Sequence, residues 1–138
     1  MSETMVKVLL TGATGYIGGT VLDHLIRSAE PSIKSLTIDV LVRNKDAAET
    51  LRKEYGDRVR PIFWTGFTDI PFVTETARNY DIIINTGTGF IADGAKALVH
   101  GLADRSAPAL PAPWFLHISG CSNLADRPLT RAAHPDRE

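Results

Sequence analysis

The sequence predicts an α/β fold: a doubly wound parallel sheet of five strands with helices on both faces. Short apolar runs alternate along the chain with segments whose apolar residues recur three or four apart. The segments between successive runs are long enough for helical crossovers, which parallel strands need. The first run ends in LLTGATGYIGG, residues 9–19, where four glycines separate a strand pattern from a helix pattern.

Residues 5–11 are apolar and stop at Gly12, which suits a buried strand. From Ile17 the residues Val21, Leu22, Leu25 and Ile26 share one helical face, with Asp23, His24 and Arg27 on the other. Glu30, Pro31 and Ser32 break this helix, and residues 36–42 resume an apolar, β-branched run. Residues 45–55 carry Ala48, Leu51 and Tyr55 at helical spacing, Gly56 ends that helix, and 59–64 is the third strand. A short helix fits 70–79, capped by Asp69, with Pro71 in its first turn. Residues 81–86, DIIINT, read as a central strand. A helix follows at 92–104 with Ala95, Leu98, Val99 and Leu102 on one face, and the fifth strand at 114–119 comes after the linker SAPALPAP. The domain is expected over residues 1–124. Residues 125–138 are charged, contain prolines, lack apolar periodicity and read as a loose tail.

At 138 residues the chain is one domain's length, able to bury roughly two-thirds of the surface its unfolded form exposes. Its 43% hydrophobic and 22% charged residues are ordinary globular usage, which argues against disorder or a fibrous repeat. Fifteen basic and sixteen acidic residues, with no basic block, argue against a nucleic-acid or anionic-membrane partner. Cys121 is the only cysteine, so no internal disulfide or CxxC motif exists. With a polar start and an apolar run too short for a secretory or membrane segment, the expected location is cytoplasmic. His24, His100, His117 and His134 have no metal-ligand spacing, and no metal is expected.

Gly12, Gly15 and Gly18 form a GxxGxxG pattern, followed by Gly19. In a strand–turn–helix setting the early glycines allow a tight turn and close approach of a pyrophosphate, and the last lets helix and strand pack together. The helix N-terminus then offers free N–H groups to the anion. The plainer alternative is a glycine-rich turn that only links strand to helix.

TGATGYIGG, residues 11–19, resembles the cofactor signature of the short-chain dehydrogenase/reductase superfamily, in its extended and atypical branches. Those branches include epimerase/dehydratase-like and NmrA-like proteins. The likeness runs over residues 5–124: VLVRN (40–44), DIIINTGTG (81–89) and FLHISGCSN (115–123) fall where that family has its second, fourth and fifth strands. The resemblance implies a Rossmann-type sheet in the order 3-2-1-4-5, with NAD(P) across the carboxyl ends of the strands. Gly12, Thr14, Gly15, Tyr16, Ile17 and Gly18 would line the pyrophosphate, and Thr86, Gly87 and Thr88 would pass near the ribose on the nicotinamide side. Complete members transfer hydride at a carbonyl or alcohol carbon and continue past the fifth strand, so the fold is expected to be incomplete at the C-terminus.

Two residues compete for the ribose of the adenosine. Asp39 matches the nominal spacing of about 20 residues from the last motif glycine, whereas Arg43, beside Asn44, stands at the end of the second strand. The strand-end position and the likeness of LVRN to the family's arginine favour Arg43 and NADP, with NAD the alternative. The family's Gly-Asp pair after the third strand is here Gly66–Phe67, so Phe67 either packs on the base or belongs to the core.

The family's proton donor is a tyrosine with a lysine four residues later, the cation lowering the phenol's pKa. Here the last tyrosine is Tyr80 and the last lysine Lys96, so no such pair follows the fifth strand. Ser119 and Ser122 are the candidates for the family's catalytic hydroxyl, with loop capping the alternative. Cys121 offers a thiol there, and His117 reads as a structural strand histidine. Three functions remain open on the sequence: an NADP-preferring oxidoreductase domain with an unnamed small-molecule substrate, an NmrA-like cofactor sensor with a protein partner, or a truncated inactive fragment.

Overall fold

β1 (Val8–Thr11) is buried on both sides, so its four residues are apolar except the last. Its side chains alternate between two cores, because successive strand residues point to opposite faces. Val8 and Leu10 pack with Ile38, Val40, Val42, Leu22 and Leu51 on one face. Leu9 packs with Leu41, Val73, Ile83, Leu98 and Leu102 on the other.

The computed structural model describes residues 5–87 and 91–118. After β1 come α1 (Tyr16–Arg27), α2 (Pro31–Lys34), β2 (Ile38–Val42), α3 (Lys45–Tyr55), β3 (Val59–Phe63), α4 (Ile70–Ala77), β4 (Ile82–Asn85), α5 (Ala92–Ala103) and β5 (Trp114–His117). All pairings are parallel, and the sheet order is β3-β2-β1-β4-β5. This is the Rossmann-like order expected, with α1 and α3 on one face and α4 and α5 on the other. None of the described helices is long and apolar enough to cross a membrane.

Local chemistry sets most element ends. The Asn44 side chain accepts from the Ala47 N–H at 2.8 Å and so caps α3, which ends at Gly56 with φ +64°. Asp69 caps α4 through the Phe72 N–H, with proline in its first turn. β3 tolerates Pro61 because it is an edge strand of the described sheet.

Two departures from the sequence reading have identifiable causes. The break at 30–32 contains the one-turn helix α2, started by Pro31 and secured from outside by Arg58. That guanidinium donates to the Ile26, Ile33 and Leu36 carbonyls at 2.9–3.3 Å, joining the end of α1, α2 and the approach to β2. β5 ends at His117, the description stops at Ile118, and the expected boundary at 124 with the tail at 125–138 lies outside the described residues.

Asp81, expected merely to open the fourth strand, is almost fully buried and ties three segments together. Its carboxylate accepts from the N–H groups of Lys7, Ala109 and Leu110 and from Arg105 at 2.7 Å. Arg105 also donates to the Leu110 carbonyl at 3.0 Å, so the linker before β5 is held to the entries of β1 and β4. Burial alone would raise the carboxyl pKa, but these donors together hold it below the ordinary value. A folded-state pKa below the unfolded one stabilises the fold above the unfolded value and is lost as pH falls through the folded one. Asp81→Ala is therefore expected to cost about 3–5 kcal/mol at neutral pH, because it strands a buried cation. In urea unfolding, the stability gap between wild type and Asp81→Asn should be full at pH 7 and close as the pH falls below about 4.

Candidate functional site

The site is built where β1 stops. Gly12 has φ +75°, a conformation side chains disfavour, and a Cβ there would lie 2.7 Å from Thr86 Oγ1. The chain turns through Ala13 and Thr14, the Gly15 N–H donates to the Gly12 carbonyl at 3.0 Å, and α1 begins at Tyr16. A Cβ on Gly18 would overlap the Gly12 carbonyl oxygen, so only glycine lets the helix start this close to the strand end.

The start of α1 is electrostatically open. Gly15 supplies no side-chain cap, and the first turn contains no acidic residue. The first ladder bond runs from the Gly19 N–H to the Gly15 carbonyl at 2.8 Å, so the N–H groups of Tyr16, Ile17 and Gly18 precede the ladder. Together with the helix dipole they favour an anion. Gly18 is buried, whereas Tyr16 is 93% exposed and Ile17 half-exposed, so neither of those side chains closes the site.

Beside this helix start a groove of about 360 Å³ is lined by Gly12, Thr14, Arg43, Asn44, Phe67 and Gly87, among others. The structure thus brings together five of the residues singled out in the sequence: Gly12, Thr14, Arg43, Asn44 and Gly87. Asn44 also caps α3. Thr86 turns its hydroxyl inward to the Thr11 carbonyl at 2.6 Å, so that group buttresses the loop. Phe67 is 7% exposed, lies edge-on to Trp64 with centroids 4.7 Å apart, and belongs to the core. Thr88, Ser119, Cys121 and Ser122 lie outside the described residues.

Asp39 and Arg43 part company in space. Asp39, its side chain 13% exposed, accepts from the Tyr80 hydroxyl at 2.7 Å and lies 3.6 Å from Arg60. Those residues line a groove of about 420 Å³ with Lys7 and Thr37, at the amino edge of the sheet. Burial, then the Asp39 carboxylate, raises the Tyr80 pKa far above that of a free phenol. Although slightly larger, that groove lacks a helix start, and ligands of open α/β sheets bind at the carboxyl edge.

A polar network unforeseen in the sequence underlies the glycine loop. Thr11 and Asn85 are fully buried; the Thr11 hydroxyl donates to Asn85 Oδ1 at 2.5 Å. The Gly87 N–H reaches both Thr11 Oγ1 and Asn85 Oδ1, at 3.2 and 3.3 Å, and Asn85 Nδ2 lies 3.0 Å from His117 Nδ1. The available signal was one asparagine ending an otherwise apolar strand, IIIN. Among the described residues no group of three or more His, Cys, Asp or Glu side chains is placed to hold a metal.

No family model matches the chain. It is 35% identical over 118 residues to the oxidase ucsJ of an Acremonium species, a match covering 86% of this chain and 32% of that protein. The chain thus spans about a third of the length of that curated relative. A reductase engineered to attenuate substrate inhibition superposes with a TM-score of 0.67 at 18% identity, over 86% of this chain and 38% of the other. A short-chain dehydrogenase from Streptomyces avermitilis gives 0.60 at 18% identity, over 89% and 52%. The chain shares their Rossmann fold.

Because Gly18 has no space for a side chain, Gly18→Ala should push α1 off β1. The expected cost is about 1–3 kcal/mol, typical of overpacking, read as a lower melting temperature. The exposed Tyr16→Ala should leave the melting temperature nearly unchanged.

Proposed function

We propose that the chain is the nicotinamide-dinucleotide-binding domain of an oxidoreductase of the short-chain dehydrogenase/reductase type, extended or atypical branch, and that it prefers NADP. The observation that carries this reading is the uncapped, acid-free start of α1, which the missing Cβ of Gly18 lets sit against the carboxyl end of β1. The fold shared with dehydrogenases and reductases and the match to an oxidase support it.

The residues present fit the group. The N–H groups of Tyr16, Ile17 and Gly18 would hold the pyrophosphate, with Gly12 and Thr14 lining the approach. Arg43, at the end of β2 and on the groove, would pair with a 2′-phosphate, a charge-assisted contact worth roughly 1.5–3 kcal/mol. Asp39 is committed to Tyr80 and Arg60 at the other edge, which supports Arg43 as the ribose-side residue. Gly87, with Thr86 behind it and Thr88 next in sequence, would border the nicotinamide ribose, and Ser119 and Ser122 would follow β5 toward the substrate. When bound, the cofactor supplies or accepts a hydride at a carbonyl or alcohol carbon.

No tyrosine follows Tyr80 and no lysine follows Lys96 in this sequence, so binding is the property to test. A ligand of the native state must raise apparent stability. NADPH should raise the melting temperature more than NADH, and Arg43→Ala should reduce NADPH affinity by about tenfold or more while sparing NADH. Gly15→Asp is a sharper control: Gly15 is extended at the N-cap, where aspartate is favoured. That variant should stay folded yet lose both cofactors, since its carboxylate occupies the anion's place. If neither cofactor shifts the transition of the wild-type chain, the reading fails.

A further inference from the structure

The network at the end of β4 determines where His117 carries its proton. The Gly87 N–H can only donate, and it approaches Asn85 Oδ1, which also accepts from the Thr11 hydroxyl. The amide oxygen therefore faces β1 and the loop, and Nδ2 faces His117. An amide nitrogen only donates, so His117 Nδ1 is the bare acceptor and the ring proton is on Nε2.

We propose that His117 is a positioning residue for the Thr86–Gly87 loop, acting through Asn85: neutral, it holds the amide in the orientation that anchors the loop, and protonated, it releases it. Imidazolium carries a proton on both nitrogens, so Nδ1–H would face the Nδ2 donor of Asn85. Rotating the amide relieves that clash but turns Nδ2 toward Thr11 and Gly87. The Gly87 N–H then loses one of its two acceptors, and the Thr11 hydroxyl loses the oxygen it donates to. Of these, Gly87 lines the groove, and Thr11 precedes Gly12, which also lines it.

Among the side chains of this network only that of His117 is ionisable. Its partners among the described residues are Asn85 from β4 and Phe115 from its own strand, stacked with ring centroids 5.8 Å apart; neither titrates. None of the ion pairs among the described residues includes it, and the Asp81–Arg105 pair lies at the opposite end of β4. The ring is exposed, so it can gain a proton without unfolding.

The test is ¹H–¹⁵N NMR of the whole chain from about pH 8 to pH 5, across which an ordinary imidazole goes from neutral to charged. The Gly87 amide and the Asn85 side-chain amide should shift with the midpoint of the His117 ring. In His117→Asn, whose Oδ1 can accept from Asn85 and does not titrate, both should keep their high-pH positions. His117→Phe, which retains a ring but no acceptor, should place them near the low-pH positions throughout. A His117 ring that titrates while Gly87 stays still would overturn the proposal, because the ring would then simply swing away from Asn85.

A second arm rests on the proposed cofactor reading. It uses NADH, which lacks the 2′-phosphate that itself titrates near pH 6. Wild-type affinity should fall about tenfold on acidification, the scale of one lost hydrogen bond, and His117→Asn should remove that dependence. Equal affinity at both pH values would overturn the link to the groove. Failure of NADH to bind at any pH would refute the cofactor reading, while the NMR arm would still decide the positioning role.

Discussion

The approach of the first turn of α1 to the Gly12 carbonyl sets the geometry on which the rest of the site depends. Because Gly18 carries no side chain, the helix begins almost on top of the strand end. Its first N–H groups therefore open at the carboxyl edge of the sheet, beside the groove floored by Gly12 and Gly87. Thr86 crosses from β4 to close the same contact, its hydroxyl held by the Thr11 carbonyl. The glycines and threonines at this junction answer to one steric constraint, and a helix start that favours an anion is its electrostatic by-product.

β4 is the other organising element, through polar groups at both its ends. Asp81 at its entry gathers the approach to β1 and the linker to β5. Asn85 at its exit gathers Thr11, Gly87 and His117. Buried polar groups are costly unless paired, and no fully buried side-chain nitrogen or oxygen among the described residues lacks a partner. Between these ends the strand is held by apolar packing, which is strong but tolerant of sliding. The polar ends define its register against β1 and β5.

The two halves of β2 show how edge decides role. Asp39 and Arg43 are four residues apart on one strand, yet the first faces a Tyr80–Arg60 cluster at the amino edge and the second borders the glycine loop. A spacing rule counted from the glycines selects Asp39, on the amino-edge groove, because the stretch before β2 includes α2 and its Arg58 anchor. The strand-end criterion selects Arg43, which lines the groove at the carboxyl edge, where ligands of open α/β sheets reach the backbone.

Periodicity and glycine placement by themselves determined the five strands, their parallel pairing, the caps at Asp69 and Gly56 and the junction at residues 12–18, while the strand order followed from the resemblance of the glycine motif to a known family. These are local or pattern properties: side-chain alternation, φ preference and the reach of a capping side chain act within a few residues. The tertiary structure alone decided the hub at Asp81, the triad of Thr11, Asn85 and His117, the helix α2 and the burial of Phe67. Each of these joins groups distant along the chain, such as Thr11 to Asn85 and Asp81 to Arg105. A lone asparagine or aspartate in an apolar run signals that a partner exists, but only the packed sheet brings that partner within hydrogen-bond distance.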